Sequence, residues 1–193
     1  MKRVVEGYRR MRNTRRCPMA NTADFDGARD AVPIGELLEI DRRALAKAAA
    51  MGDAAAGDYA RYEFHLVVQR LQTYCSEDLG GFYLDVLKDR LYTTAAGSHP
   101  RRSAQTALAL IRDALLKLMA PILSFTAEEA WHTLSPDDPT IFVHTWEQMI
   151  PEVPAGAAPL RKWGRLLAVR TVLQRAPGAD RRAGPRRSRT PAD

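Results

Sequence analysis

The sequence has few cysteines, and this scarcity excludes several kinds of protein. Cys17 and Cys75 are the only cysteines among 193 residues, so a disulfide framework is not expected at this chain length. Neither the two cysteines nor the four scattered histidines have the spacing of a metal site. A reducing compartment such as the cytosol is the simplest setting for such a chain.

Long apolar runs and catalytic motifs are also missing. No stretch approaches the roughly 20 apolar residues that span a membrane, and no apolar signal core follows the basic N-terminal segment. A Gly-rich phosphate loop is absent, and no Ser or Cys stands in a recognisable motif with a base. We therefore expect a cytoplasmic protein without a membrane partner. The absence of these motifs argues against a complete active site.

Positive charge is concentrated at the two ends of the chain. The formal net charge is +6, and residues 1–16 contain seven Lys or Arg residues against one Glu. Residues 176–193 contain five Arg residues against two Asp residues, so the middle of the chain is close to neutral. Basic ends on a neutral body favour a polyanionic partner, although solubility alone would also explain them.

Apolar residues recur at helical spacing through most of the chain, which predicts an all-α fold. The predicted helices span about residues 3–16, 36–51, 58–75, 82–91, 104–119, 126–131 and 160–174. Together they predict a helical bundle of about four to five main helices over residues 1–175. Residues 176–193 are rich in Arg, Pro and Gly without apolar periodicity, and we predict that they form a disordered tail.

Three sites are predicted to end, start or interrupt helices in the first half of the bundle. Gly52 follows an alanine-rich run and is a plausible helix stop, and Asp58 is a plausible N-cap for the next helix. Gly80 and Gly81 interrupt the helical pattern. Because each glycine in a helix interior costs roughly 1 kcal/mol, we expect a kink or break at this pair.

Two further features are predicted in the second half. Thr126, followed three positions later by Glu129, has the spacing of a capping box at a helix N-terminus. The stretch SPDDPTIFVHTW is predicted to form a loop that leads into one short extended segment, and PEVPAGAAP is predicted to form a linker.

Basic residues in the first predicted helix form the strongest candidate binding surface. Arg9, Arg12 and Arg16 follow i, i+3, i+7 spacing, away from the apolar stripe that contains Tyr8. Guanidinium groups on one helix face can contact successive phosphates. An ordinary solvated helix face is an equally good interpretation of the same pattern.

The stretch GGFYLDVLKDRLYT combines large apolar residues with a run of charges. Asp85 and Asp89 lie one helical turn apart, and paired carboxylates can carry out acid–base chemistry. We favour the simpler interpretation that they accept local partners such as Lys88 or Arg90.

Several segments of the sequence resemble one family of enzymes. FYLDVLKDRLY resembles a signature of the isoleucyl-tRNA synthetases, which are class I aminoacyl-tRNA synthetases, and VVEGYRRMRNT resembles the start of their anticodon-binding domain. YEFHLVVQRLQTYCSEDL, RRSAQTAL, MAPILSFTAEEAW and FVHTW follow in the family's order. The resemblance covers about residues 2–175, and FYLDVLKDRLY and RRSAQTAL favour isoleucine over the related synthetases for valine, leucine and methionine.

This resemblance implies a role in translation through tRNA binding. The bundle is expected to hold the anticodon stem-loop of isoleucine tRNA, with Arg9, Arg12, Arg16, Lys88 and Arg90 as candidate tRNA contacts. The family's catalytic motifs, H-I-G-H and K-M-S-K-S, do not occur in these 193 residues. The resemblance therefore implies a chain that is inactive alone, with ATP bound by the family's separate catalytic domain and no cofactor or metal in this chain.

Two alternatives remain open at this point. The chain could be a subunit of a split ligase that assembles with a separately encoded catalytic domain, or a truncated or decayed helical protein that does not bind tRNA. The FYLDVLKDRLY motif also has a structural interpretation, in which Tyr83, Leu87 and Leu91 pack into the bundle and Lys88 and Arg90 favour the negative end of the helix dipole.

Overall fold

The structure is a computed structural model that describes residues 7–9, 21–146, 149–154 and 160–182. Within these ranges all regular structure is helical and no strand is present, so the predicted all-α fold is confirmed. The α-helices are α1 (Gly27–Asp30), α2 (Glu39–Ala60), α3 (Phe64–Thr73), α4 (Leu84–Thr93), α5 (His99–Met119), α6 (Ser124–Leu134) and α7 (Leu160–Arg182). Two 3-10 turns, Ile34–Glu36 and Ile141–Val143, and a π-helical segment, Tyr74–Tyr83, connect them.

Helix α5 is the centre of the bundle. It packs against α1, α2, α4 and α6, and Leu108, Ile111 and Leu118 are fully buried. Burial of large aliphatic side chains supplies the main driving force for such a core, at roughly 1.5–3 kcal/mol for each side chain. The helix predicted over 104–119 is therefore present, and it begins five residues earlier, at His99.

Helix α2 does not stop at Gly52, and this prediction is wrong. Gly52 is buried in the helix interior, where a Cβ atom would lie 3.4 Å from Met149 and 3.9 Å from Leu118. The small residue thus lets the helix approach its neighbours, and the alanines on both sides favour continued helix. Asp58 consequently lies in the last turn of α2 rather than at an N-cap.

The end of α2 is a Schellman motif with an unusual residue in it. The Tyr62 amide donates to the Tyr59 carbonyl at 2.9 Å, and the Glu63 amide donates to the Asp58 carbonyl at 2.9 Å, which is the bonding pattern of this helix end. Tyr62 has a φ of 59°, a left-handed conformation that glycine or asparagine usually occupies there. A side chain in this conformation costs roughly 1–2 kcal/mol.

The chain remains helical through Gly80 and Gly81, so of the predicted kink or break, the break is wrong. The winding instead becomes π-helical over Tyr74–Tyr83, with the Leu84 amide bonded to the Leu79 carbonyl. A Cβ atom on Gly80 would lie 2.8 Å from the Cys75 carbonyl oxygen, and one on Gly81 would lie 3.0 Å from the Ser76 carbonyl oxygen. The two glycines leave room for these carbonyls, which explains why they occur within a helix.

The predicted capping box is also wrong. Helix α6 begins at Ser124, and its N-cap residue, Leu123, makes no side-chain capping hydrogen bond. Thr126 is already inside the helix, and its hydroxyl lies 3.3 Å from the Tyr8 hydroxyl.

The segment after α6 is a tight turn where an extended segment was predicted. Residues Ile141–Val143 form a 3-10 turn, and the Thr140 hydroxyl accepts a hydrogen bond from the Phe142 amide at 3.4 Å. Trp146 then packs on Tyr59 with ring centroids 4.5 Å apart, and its indole N–H donates to the Lys117 carbonyl.

The chain divides into two compact units, residues 1–158 and 159–193. In the second unit, α7 continues past its predicted end at Gln174 to Arg182, while residues 183–193 of the predicted tail lie outside the described residues. The predicted boundary at residue 175 differs from this division and stays a prediction. Of the helix predicted over 3–16, only residues 7–9 are described, and they are helical.

No helix in the described ranges is long and apolar enough to span a membrane.

Candidate nucleic-acid interface

Two of the motifs singled out in the sequence meet at one buried carboxylate. Asp41, in the first turn of α2, is fully buried. Its oxygens accept hydrogen bonds from the Tyr83 hydroxyl at 2.7 Å and the Ser103 hydroxyl at 2.6 Å. Arg90 donates to both oxygens, at 2.9 and 2.6 Å. The carboxylate therefore ties FYLDVLKDRLY and RRSAQTAL to the start of α2.

The surroundings of Asp41 keep every donor in its donating form. Burial, and after it the Asp41 carboxylate, raises the pKa of Tyr83 well above its ordinary value, so the phenol stays protonated. Arg90 is only 17% exposed and also donates to the Pro100 carbonyl at 3.3 Å. Ser103 accepts from the Leu38 amide at 2.9 Å while it donates to Asp41. A buried carboxylate with this many donors is fully satisfied.

These contacts favour a structural role for Arg90, in agreement with the interpretation that the FYLDVLKDRLY motif packs into the bundle. Tyr83, Leu87 and Leu91 are buried, as that interpretation predicts. Lys88 lies on the opposite side of the helix, is 65% exposed and pairs with Asp85 at 3.0 Å. The expectation that Asp85 accepts a local partner is therefore confirmed, whereas Arg90 pairs with Asp41.

Residues 7–9 lie between α3 and α6. A Cβ atom on Gly7 would lie 2.1 Å from the Gln72 side-chain amide, so the short helix contacts α3 closely. Tyr8 reaches Thr126 of α6, and Arg9 is exposed. Arg12 and Arg16 lie outside the described residues, so the three-arginine face stays a prediction.

A second buried carboxylate organises the corner between α2 and α3. Asp58 is fully buried and pairs with both Arg61 and Arg70. The hydrogen bond from Arg70 is the main reason that the pKa of Asp58 is lowered from its ordinary value. Arg61 also donates a hydrogen bond to Glu63 at 2.7 Å. These ion pairs therefore connect the end of α2 to the segment that leads into α3.

Two aromatic rings project from this corner. Tyr62 is 80% exposed and Phe64 is 48% exposed, and their ring centroids lie 6.0 Å apart in an edge-on arrangement. The Schellman hydrogen bonds and the Arg61 ion pairs fix the backbone that carries them. Exposed aromatic rings on a rigid backbone can stack on unpaired bases.

A cavity of about 510 Å³ opens between α2, α3 and the π-helical segment. The residues that line it include Lys47, Met51, Leu66, Arg70, Tyr74 and Asp78. In the parts of the chain that the structure describes, no group of three or more His, Cys, Asp or Glu side chains is arranged to hold a metal ion.

The sequence pattern did not identify the two buried carboxylates, although one signal was available for Asp41. Asp41 precedes the buried residues Leu45 and Ala48 by four and seven positions, so the acid occupies the apolar stripe of its helix. An acid in that position needs a buried partner. No comparable signal marks Tyr62, because nothing in the surrounding sequence indicates a helix end.

Comparison with known proteins agrees with this fold. The family model described as the anticodon-binding domain of tRNA ligase matches residues 41–176. The isoleucine–tRNA ligase of Bordetella parapertussis is 58% identical over 193 aligned positions, which cover 95% of this chain and 20% of that protein. Those of Bordetella petrii and Burkholderia vietnamiensis are 58% and 57% identical, over 91% of this chain and 19% and 18% of their own lengths. The chain thus spans about a fifth of the length of these relatives.

Proposed function

The chain belongs to the family of anticodon-binding domains of tRNA ligases, and on that basis we propose that it binds the anticodon stem-loop of isoleucine tRNA. The observation that carries this proposal is the family match over residues 41–176. The choice of isoleucine rests on the names of the relatives that are 57–58% identical to this chain. The chain would thereby contribute to the aminoacylation of isoleucine tRNA in the cytoplasm.

The ligation step itself is assigned to a different part of the ligase. Neither H-I-G-H nor K-M-S-K-S occurs in the 193 residues, so ATP and isoleucine are expected to bind a catalytic domain outside this sequence. That domain is the second proposed partner, whether it lies on the same polypeptide or on another one. A binding module positions the tRNA, and such positioning accelerates a reaction without supplying its chemistry.

The proposed RNA contacts come from exposed cations. Arg9 is exposed beside α3 and α6, and Arg12 and Arg16 follow it at helical spacing. Lys88 is a further candidate because its ammonium group is exposed and pairs with a surface carboxylate, Asp85. Arg90 acts through Asp41 as a positioning residue, since its guanidinium is held inside the bundle.

A salt titration tests the phosphate contacts. Replacement of Arg9, Arg12 and Arg16 by Gln should weaken tRNA binding and flatten its salt dependence. Since each lost phosphate contact removes roughly 0.7–0.9 from the slope of log K against log salt, we expect a change of about two to three units. The single replacement Arg29→Gln, at an exposed arginine of α1, is the control for loss of charge.

Circular dichroism provides the control for folding. The triple variant should fold, because none of the replaced side chains is apolar. Equal slopes for the folded triple variant and the original chain would move the RNA surface away from the first helix. Absence of tRNA binding by the original chain would support the alternative of a helical protein without this function.

A further inference from the structure

The cavity between α2, α3 and the π-helical segment has the size and position of a ligand site. Its volume of about 510 Å³ lies within the range of roughly 300–1,000 Å³ that is typical of ligand pockets. Tyr74 and Asp78 line it from the π-helical segment, and π-helical turns occur frequently at functional sites. The winding is specified by Gly80 and Gly81, where a Cβ atom would come within 2.8 and 3.0 Å of carbonyl oxygens.

The charges around the cavity favour an anionic group. Lys47 lines the cavity, is half-buried and makes no ion pair or hydrogen bond within the described ranges. Arg70 adds a second cation, although its guanidinium also serves the buried Asp58. Asp78 lies near the buried Arg43, where burial lowers the pKa of the guanidinium and the Asp78 carboxylate opposes that lowering. Lys47 is therefore the cation whose charge is not already matched.

The remaining lining suits a flat, partly apolar group. Met51 lines the cavity from α2 and Leu66 lines it from α3, and both are half-buried. Tyr74 contributes an aromatic side chain from the third wall. Gln69 and Thr73 provide hydrogen-bonding groups, which could contact the edge of a base. A partly apolar pocket with hydrogen-bonding groups and cations in its lining is suited to nucleotide recognition.

We infer that this cavity binds one unstacked nucleotide of a single-stranded RNA loop, with its base against Met51 and Leu66 and its phosphate at Lys47. The inference rests on the proposed function, because it assigns a subsite for the RNA that the bundle binds. Proteins read RNA loops mainly through bases that leave the stack and enter such pockets. The phosphate adds a charge-assisted hydrogen bond to the lysine.

The test uses the full chain and an anticodon stem-loop RNA of isoleucine tRNA, with 2-aminopurine placed at one loop position at a time. A base that enters the cavity changes its fluorescence, because its stacking and its exposure to water change. Lys47→Gln removes the unmatched charge, and Ala54→Phe fills the cavity from α2 without changing charge. Arg29→Gln and Ala28→Phe are matched controls at exposed positions of α1.

We expect Lys47→Gln to weaken binding about tenfold, as loss of a hydrogen bond to a charged group would, and to lower the salt slope by about 0.7. At one loop position, Ala54→Phe should abolish the fluorescence response. Both control variants should bind within about twofold of the original chain.

The outcomes distinguish failure of the cavity inference from failure of the proposed function. If the original chain binds the RNA and both cavity variants bind like their controls, the cavity inference is overturned and the proposed function stands. If the original chain binds no RNA, the proposed function fails, and the inference fails with it. Should Ala54→Phe not fold by circular dichroism, Lys47→Glu, which reverses the charge at a partly exposed position, tests the site independently.

Discussion

Arg90 reaches from α4 to Asp41 in α2 and donates to both carboxylate oxygens, at 2.9 and 2.6 Å. Asp41 is fully buried, and Arg90 is 17% exposed. A carboxylate in this environment is tolerated because its charge and its lone pairs are matched. The two residues thus form an ion pair that connects two helices distant in sequence. Removal of either residue would leave the other buried without its counter-charge.

Replacement of Arg90 by Gln should therefore destabilise the bundle strongly. Breaking a buried ion pair from one side costs roughly 3–5 kcal/mol. Lys88→Gln is the matched control two positions away, because it breaks an exposed pair whose contribution is below roughly 1 kcal/mol. Urea unfolding measures both free energies, and equal losses for the two variants would contradict a structural role for Arg90.

The ion pairs of Asp58 should make stability depend on pH. The pKa of Asp58 is lowered in the folded chain, chiefly by the hydrogen bond from Arg70. The contribution of the ionised Asp58 to folding stability is thus present above the unfolded pKa of about 3.9. It is lost as pH falls through the lower pKa of the folded state. Asp58→Asn should lower stability at pH 7 and weaken this dependence.

Asp53→Asn is the control for this experiment. Asp53 is exposed on the same helix, so the substitution changes the same charge without breaking a buried pair. If thermal unfolding between about pH 7 and pH 3 shows the same profile for both variants, the buried pairs of Asp58 are not the source of the effect.

The glycines of the π-helical segment should resist substitution. In an ordinary helix interior, Gly→Ala stabilises by roughly 0.5–1 kcal/mol. Gly80→Ala should instead destabilise by about 1–3 kcal/mol, because the new Cβ atom would lie 2.8 Å from the Cys75 carbonyl oxygen. Gly57→Ala, where the nearest atom is 3.5 Å away on a flexible arginine, should stabilise. Chemical unfolding should therefore give opposite signs for the two variants.

The energetic cost of the left-handed backbone conformation at Tyr62 can be measured with variants that lack the aromatic ring. At this position the Gly variant should be more stable than the Ala variant by about 1 kcal/mol, because only glycine adopts a φ of 59° at little cost. At Tyr92, a comparably exposed tyrosine in α4, the Ala variant should be more stable than the Gly variant. The same preference at both positions would show that the backbone of Tyr62 carries no strain.

The helices were predictable because their apolar stripes are local features of the sequence. The buried network was not, because the partners of Asp41 lie 49 and 62 positions away in Arg90 and Ser103. An acid in the first turn of a helix is equally expected on the surface, where it interacts with the helix dipole. Only its place on the apolar stripe distinguishes it.

The wrong predictions at the glycines share one physical cause. The backbone freedom of glycine predicts a helix stop at Gly52 and a kink or break at the pair Gly80 and Gly81. In the structure, what matters is that glycine has no side chain. At Gly52 this allows close helix packing, and at Gly80 and Gly81 it leaves room for carbonyl oxygens of the π-helical segment. Conversely, the real end of α2 carries Tyr62 in a conformation that intrinsic preference disfavours, and tertiary interactions override it.

An equilibrium binding measurement with three RNAs tests whether this bundle recognises the anticodon of isoleucine tRNA. The full chain is titrated into isoleucine tRNA, isoleucine tRNA with a replaced anticodon, and an unrelated tRNA of the same length, all at one physiological salt concentration, because affinities at different salt are not comparable. We expect the tightest binding to isoleucine tRNA and a loss of at least about tenfold when the anticodon is replaced, or about 1.4 kcal/mol. Equal binding of all three RNAs, or none at all, would contradict the assignment of this bundle to the anticodon of isoleucine tRNA.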